Sequence, residues 1–390
     1  MRIALVSDCY PPRLGGIEVQ VAGLARALRR AGHQPLVITA TPGPPERDVL
    51  RLPVANPVGA PVGLGAGRRL RQVLAGADVV HAHIGVLGPL AQQAAGIAAS
   101  GRLPTLLTWH SLPGSSPLAL ALAPTWRRLV ERGVRPTAVS TVAAEQLEGL
   151  LRLPEVPVLR NGLDVPAWTH GGARAHRGSS SSSRVSVPGG SGPGPRVVSA
   201  MRFSARKRPL HLIALLARVR ERVPAHRRPR LSILGDGPWW SALRALVGGT
   251  TLREWVDLPG RIPRAHLAGH LADADLYVAA SRHEAFGIAA LEARCAGLPV
   301  AGYTGTGVRD VVQPGVGGVL ATGDRQLSTA LADLLADPAR LRRYAEHHHR
   351  HPPWDHHWPA VTADTLGHYE GALQGLGREG GADARASRGA

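Results

Sequence analysis

Twice along this chain, short runs of Val, Ile and Leu with no polar alternation are spaced by longer amphipathic stretches. The first set comprises Ile3–Ser7, a helical Ile17–Ala31, then Pro35–Thr39, Val79–His81, Thr105–Leu107, Ala138–Ser140 and Val156–Leu159. The second comprises Val197–Ser199, Leu231–Leu234, Trp255–Leu258, Leu276–Ala279 and Pro299–Ala301, with helices near His211–Arg222, Ser241–Val247, Ala265–Ala272 and Gly287–Ala296. A run that is apolar at every position suits a strand covered on both faces, as in a parallel sheet flanked by helices. The pattern therefore predicts an α/β chain of two doubly wound, Rossmann-like domains. Between the two sets, Thr169–Arg196 has almost no apolar content and includes the serine run Ser179–Ser183. Such a segment cannot bury enough surface to fold alone, which predicts a flexible linker. The expected domains are thus 1–168 and 197–358, with a helix over 359–377 and a polar, disordered tail over 378–390.

The 390 residues carry a formal charge of +18, which invites a nucleic-acid or membrane-surface reading. Aromatic residues make up only 4% and do not interleave with the basic ones, so a base-stacking channel is excluded. Lys207 is the only lysine among 46 basic residues, so most of the charge reflects a bias toward arginine. Two cysteines, Cys9 and Cys295, exclude a disulfide framework or a multi-cysteine metal site and read as small packing residues in a reducing, cytoplasmic setting. The opening MRIALVSD reads as a strand rather than a signal peptide, and Pro117–Pro124 is far shorter than the ~20 apolar residues of a spanning helix. The clusters Arg68, Arg69, Arg71 and Arg127, Arg128, Arg132 leave room for peripheral contact with an anionic leaflet, against a solvated helix face.

Three segments carry chemistry. Gly15 and Gly16 stand between the first strand and its helix, where backbone amides and the helix dipole favour an anion. Arg202 and Lys207, in Met201-Arg202-Phe203-Ser204-Ala205-Arg206-Lys207, follow the first strand of the second domain, and a guanidinium with an ammonium there can grip a pyrophosphate. Glu284 lies in a loop before a helix that contains Glu292 about one turn in, so both carboxylates can face one crevice beyond the strand ends. The Gly287 and Ile288 amides at that helix start are donors for phosphate or sugar oxygens.

The segment HEAFGIAALEARCAGLPV resembles the E-x7-E signature of family 4 retaining glycosyltransferases with the GT-B fold. MRFSARK is similar to that family's diphosphate loop, with alanine and methionine before Arg202 where glycine is commoner. With these two, PPRLGGIEVQV, the loop Leu107–Ser111 with His110, Arg160-Asn161-Gly162-Leu163-Asp164 and Leu234-Gly235-Asp236-Gly237-Pro238 make six collinear matches, and the resemblance runs from residue 1 to about 375. The resemblance implies two domains facing across a cleft, with the helix 359–377 crossing back to the first. It implies that Glu284 holds donor-sugar hydroxyls, Glu292 the ribose, and Arg202 and Lys207 the departing diphosphate. Gly16, with Gly15 beside it, and the Phe286-Gly287-Ile288 turn would contact the donor's phosphates or hexose, and His110 would lie near the anomeric carbon.

Transfer with retention builds negative charge on the diphosphate, which two cations and helix N-termini can meet without a metal or other cofactor. The implied partners are a nucleoside diphosphate sugar, with uridine weighted over guanosine, and an acceptor hydroxyl on an inositol, cyclitol, aminocyclitol or lipid-linked compound. A monomer or homodimer fits, in a high-GC bacterium such as an actinomycete. A GT-B epimerase and a non-catalytic nucleotide-sugar binder are the alternatives, whereas an NAD enzyme is disfavoured because the first turn lacks GxGxxG. Asp273-Ala274-Asp275 reads as capping, and His347–His351 with His356 and His357 reads as a solvated basic surface rather than a metal tract.

Overall fold

The computed structural model describes residues 1–52, 64–85, 87–114, 116–169 and 194–386, so the expected linker lies almost entirely outside the described residues. The chain divides into two compact units, Met1–Leu163 with Asp355–Ala390, and Asp164–Trp354. Both limits fall a few residues before those expected, for a local reason. Trp168 is buried and lies under the Arg264 guanidinium, 5.6 Å from its ring centroid, which ties Asp164–Thr169 to the second unit. At the other limit, Leu163 N donates to His356 O (2.7 Å) and the His356 ring bonds Asn161 O (2.9 Å), anchoring Asp355–His357 in the first.

In the first unit, β1 (Arg2–Ser7), β2 (Gln34–Thr39), β3 (Val49–Arg51), β4 (Val79–Ile84), β5 (Thr105–Trp109) and β6 (Arg135–Ala138) form one parallel sheet in the order β3-β2-β1-β4-β5-β6. Alternate residues of β1 serve opposite faces: Ile3 and Leu5 join a cluster with Val21, Leu28 and Tyr369, while Ala4 and Val6 join one with Leu90, Leu107 and Trp126. Both faces are covered, which is why the run shows no polar alternation. Val156–Leu159 does not form a strand. It makes a single parallel bridge through Val158 to Ala138, because Pro157 has no N–H to extend the ladder. Ser140, expected inside a strand, instead caps the helix Thr141–Leu151 by accepting the Ala143 amide at 3.1 Å.

The second unit holds β7 (Arg196–Ala200), β8 (Arg230–Leu234), β9 (Val256–Gly260), β10 (Leu276–Val278), β11 (Val300–Tyr303) and β12 (Gly318–Ala321), ordered β12-β11-β10-β7-β8-β9. In each sheet the strand order reverses direction at one place, between β1 and β4 and between β7 and β10. Crevices at such switch points, beyond the strand C-termini, are where open α/β sheets bind ligands. Among the described residues no helix is long and apolar enough to cross a membrane.

Three expectations are corrected. The helix Trp358–Ala386 continues through the segment expected to be a disordered tail, since its Ala, Arg and Glu residues favour helix and no proline interrupts them; residues 387–390 lie outside the described residues. The histidine tract is not wholly a solvated face: His348 is buried with its ring bonded to Leu298 O at 2.7 Å, and His356 is buried as above. Arg127 is not simply part of a solvated basic face: it donates twice to Leu150 O, joining the helices Pro117–Glu131 and Thr141–Leu151.

The C-terminal helix is held by Tyr369, which is fully buried with its hydroxyl 2.8 Å from His81 Nδ1. Tyr369→Phe leaves that nitrogen without a partner and is expected to cost about 1–3 kcal/mol. Tyr369→Ala adds a cavity and is expected to cost about 3–5 kcal/mol. Urea unfolding curves of the two variants check both values.

Candidate functional site

The 3₁₀ turn Ala205–Lys207 follows β7 and delivers Lys207 to the switch point, where its Nζ lies 2.6 Å from Glu284 Oε2. Glu284 arrives from the loop after β10, 77 residues away in sequence. The next residue, Arg208, is held in the left-handed region at φ 60°. A forked ion pair to Asp324 (2.6 and 3.1 Å), with contacts to Tyr303 Oη and Ala280 O, offsets that strain. These hydrogen bonds hold the Asp324 carboxyl down to about 2. Ser281 Oγ adds a bond to Arg206 O at 3.3 Å, so the two loops are stitched beside the Lys207–Glu284 pair. Arg202 is exposed with its stem against Gly237, and no hydrogen bond or ion pair joins it to Lys207 or Glu284.

Phe286 is buried and Gly287 adopts φ +95° as the cap of the helix Ile288–Cys295. A side chain at Gly287 would be strained and would press on Val308. Gly307 lies so close to the Ala285 and Phe286 backbone that no Cβ fits, and its amide donates to Glu284 O at 2.9 Å. The first amides of the helix are thereby fixed with no intrahelical acceptor.

Glu292 is only 4% exposed, and burial pushes its carboxyl up to about 7, opposed by the charge of Arg264. Arg264 Nη2 lies 2.6 Å from Glu292 Oε1, although its N–H does not align as a hydrogen bond and Oε1 has no other partner. The same guanidinium covers the Trp168 ring. Burial raises the Tyr277 hydroxyl on β10, and the charges of Glu284 and, more weakly, Glu292 raise it further.

In the first unit, Gly15 and Gly16 are exposed and start the helix Gly16–Arg30, with Gly15 extended at φ 171°. The buried Glu18 carboxylate folds back against Gly15 and pairs with Arg13 at 3.0 Å. The helix start expected to be open to a phosphate therefore already faces an anion. His110 follows β5, half-buried, with its Nε2 3.0 Å from His83 Nδ1 on β4. His81, on the same face of β4, packs against His83 with centroids 4.0 Å apart and the rings tilted by 34°, and bonds Thr108 Oγ1 at 2.7 Å. Burial lowers all three rings, His81 to about 3 and His110 to about 4, so they are neutral at pH 7.

The structure brings Lys207, Glu284, Phe286, Gly287, Ile288 and Glu292 to the second unit's switch point, and Gly15, Gly16 and His110 to strand ends of the first. Sequence reasoning missed Arg264, the Arg208–Asp324–Tyr303 brace, Glu18 and His83. Arginine is too common here for Arg264 or Arg208 to stand out, whereas a first-turn acid at Glu18 and the His81-Ala82-His83 spacing on a buried strand were legible signals.

A family model described as Glycosyltransferase Family 4 matches residues 14–166, and one described as Glycosyl transferases group 1 matches residues 189–350. A GDP-mannose-dependent alpha-mannosyltransferase of Mycolicibacterium smegmatis is 29% identical over 394 residues, covering 96% of this chain and 98% of the relative. A D-inositol 3-phosphate glycosyltransferase of Xylanimonas cellulosilytica is 29% identical over 371 residues, covering 85% and 86%. The crystal structure of Anabaena HepE in complex with UDP superposes with a TM-score of 0.73 at 18% identity, covering 94% of this chain and 100% of that one, a likeness of fold. With one family match on each unit and relatives spanning nearly the whole length, the chain belongs to family 4 of the glycosyltransferases, with the GT-B fold.

Proposed function

We propose that this enzyme transfers a hexose or N-acetylhexosamine, with retention, from a nucleoside diphosphate sugar to an acceptor hydroxyl of an inositol-type, cyclitol or lipid-linked compound. The observation that carries this reading is the Lys207–Glu284 pair, 2.6 Å across the β7–β10 switch point and only part-buried. An ammonium poised there can turn to a diphosphate as its leaving oxygen gains charge, and the released carboxylate can accept hydrogen bonds from sugar hydroxyls. The exposed Arg202 and the amides after Gly287 add positive potential for the phosphates, and Glu292 accepts from the ribose. His110, by resemblance, serves the anomeric region. This set of groups meets the charge itself, so we assign no metal requirement. The full-length relative named for GDP-mannose supports mannose and guanosine as the first donor to test, ahead of the uridine weighting drawn from the sequence. Because GDP-mannose is an α-glycoside, an alpha-mannosyl product is one of retention, which supports that outcome here. The relatives named for D-inositol 3-phosphate support an inositol-type acceptor.

A mass-spectrometric screen of GDP- and UDP-sugars against inositol, inositol phosphate, cyclitol and lipid-linked acceptors is expected to give a glycosylated product, unaffected by excess EDTA. Release of nucleoside diphosphate with no glycosylated product would favour the epimerase instead. With the productive pair, Lys207→Ala is expected to lower kcat by about 10²- to 10³-fold, the typical cost of losing one stabilising group at a developing anion. Unchanged turnover would overturn the site.

Donor binding is expected to depend on pH through Glu292. Its carboxyl is raised to about 7, so the ionised acceptor is present above that pH and is lost as pH falls through it. Calorimetric titration with GDP and UDP on either side of neutrality should show weaker binding on the acid side. Glu292→Gln should flatten the dependence, and Arg264→Ala should move its midpoint upward.

A further inference from the structure

The proton arrangement of the histidine cluster can be read from the cluster itself. His83 is 4% exposed, and its two ring nitrogens have different surroundings. Nδ1 faces His110 Nε2 at 3.0 Å, while Nε2 is buried with no partner. A neutral imidazole carries one N–H and one bare nitrogen. Were the His83 proton on Nε2, a buried donor would have no acceptor, which native structures avoid more strictly than a buried acceptor without a donor. The proton therefore sits on His83 Nδ1 and is donated to His110 Nε2. A neutral His110 that accepts at Nε2 must carry its own proton on Nδ1.

We propose that His83 is a positioning residue that locks His110 in the Nδ1–H tautomer, so that His110 presents a hydrogen-bond donor, and not a base, to an oxygen of the bound substrates. Three further observations support the lock. Burial keeps both rings neutral at pH 7, so a single tautomer pair is defined. The His81 ring packed against His83 is itself fixed at both ends, by Tyr369 Oη at 2.8 Å and Thr108 Oγ1 at 2.7 Å, and limits the room for the His83 ring to turn. The Asp8 carboxylate, at the end of neighbouring β1, accepts the Leu90 and Ala91 amides at 3.0 and 3.1 Å, and no contact joins it to either ring. The tautomer follows from the cluster alone; its use toward substrate rests on the function proposed above.

Proton–nitrogen correlation spectra of the full-length protein labelled on histidine, assigned with the His83 and His110 single variants, read the tautomer with no substrate present. We expect His110 Nδ1 protonated and Nε2 in the acceptor form; the reverse arrangement overturns the proposal. In the transfer assay, His83→Leu is expected to lower kcat about 10- to 100-fold with little change in donor KM, because His110 loses its orientation and single tautomer. His83→Asn, whose side-chain amide can donate from near the Nδ1 position, should recover most of that loss and restore the His110 Nδ1–H signal. A His83→Leu enzyme as fast as the original refutes the positioning role. If His83→Leu does not fold, the His83→Asn spectrum decides, since loss of the single tautomer in a folded, active enzyme also overturns the proposal. If the original protein transfers no sugar to any acceptor, the proposed function fails while the spectra still settle the tautomer.

Discussion

The parallel pairing of β7 with β10, in which Val197 and Val198 lie against Leu276 and Tyr277, is the constraint on which the candidate donor site depends. These two strands are consecutive in space but separated in sequence by β8, β9 and their helices. Their pairing reverses the winding direction and opens a crevice at their C-terminal ends. Ser199 Oγ donating to Val278 O at 2.7 Å and Tyr277 Oη donating to Ala200 O at 3.3 Å reinforce the pairing beneath that crevice. The loops that leave the two strands then have little choice of partner. One carries Lys207 and the other Glu284.

Around that frame, cations and carboxylates stand in pairs: Lys207 with Glu284, Arg208 with Asp324, Arg264 with Glu292, and Arg13 with Glu18. The pairs serve different ends. Arg208–Asp324 is a forked, mostly enclosed brace whose breakage would release a strained backbone, so it has a structural role. Lys207–Glu284 and Arg264–Glu292 each join a partly exposed cation to a carboxylate, and a polyanionic ligand bearing hydroxyls can replace both halves of such a pair. The buried position of Glu292 makes its ionisation sensitive to the neighbouring guanidinium, which is how an arginine with no motif of its own enters the site.

At the ends of β4 and β5 the first unit arranges its polar groups by hydrogen bonding between neutral rings rather than by charge. His81 and His83 are two residues apart on a strand covered on both faces, so both point to one side and must find partners there. His81 finds Tyr369 of the C-terminal helix and Thr108 of β5, while His83 finds only His110. The same sheet that buries the aliphatic core thus fixes the partner of the His110 ring.

What the sequence determined was most of the strands and helices and the loops that carry the candidate site. Uninterrupted apolar runs are forced by sheets covered on both faces, Gly287 by a left-handed cap, and the E-x7-E spacing by a loop and helix that must serve one crevice. Its failures also have physical causes. Pro157 keeps the apolar run Val156–Leu159 from forming a strand, the glycine-rich flank of β12 hid a strand altogether, and the buried His348 and His356 looked like surface because composition says nothing of packing. Only tertiary structure decided the partners. A linear sequence does not say which arginine reaches Glu292, that Glu18 folds over Gly15, or that His83 meets His110. Those contacts join residues brought together by strand order and helix packing, and distance in space, unlike periodicity, leaves no mark along the chain.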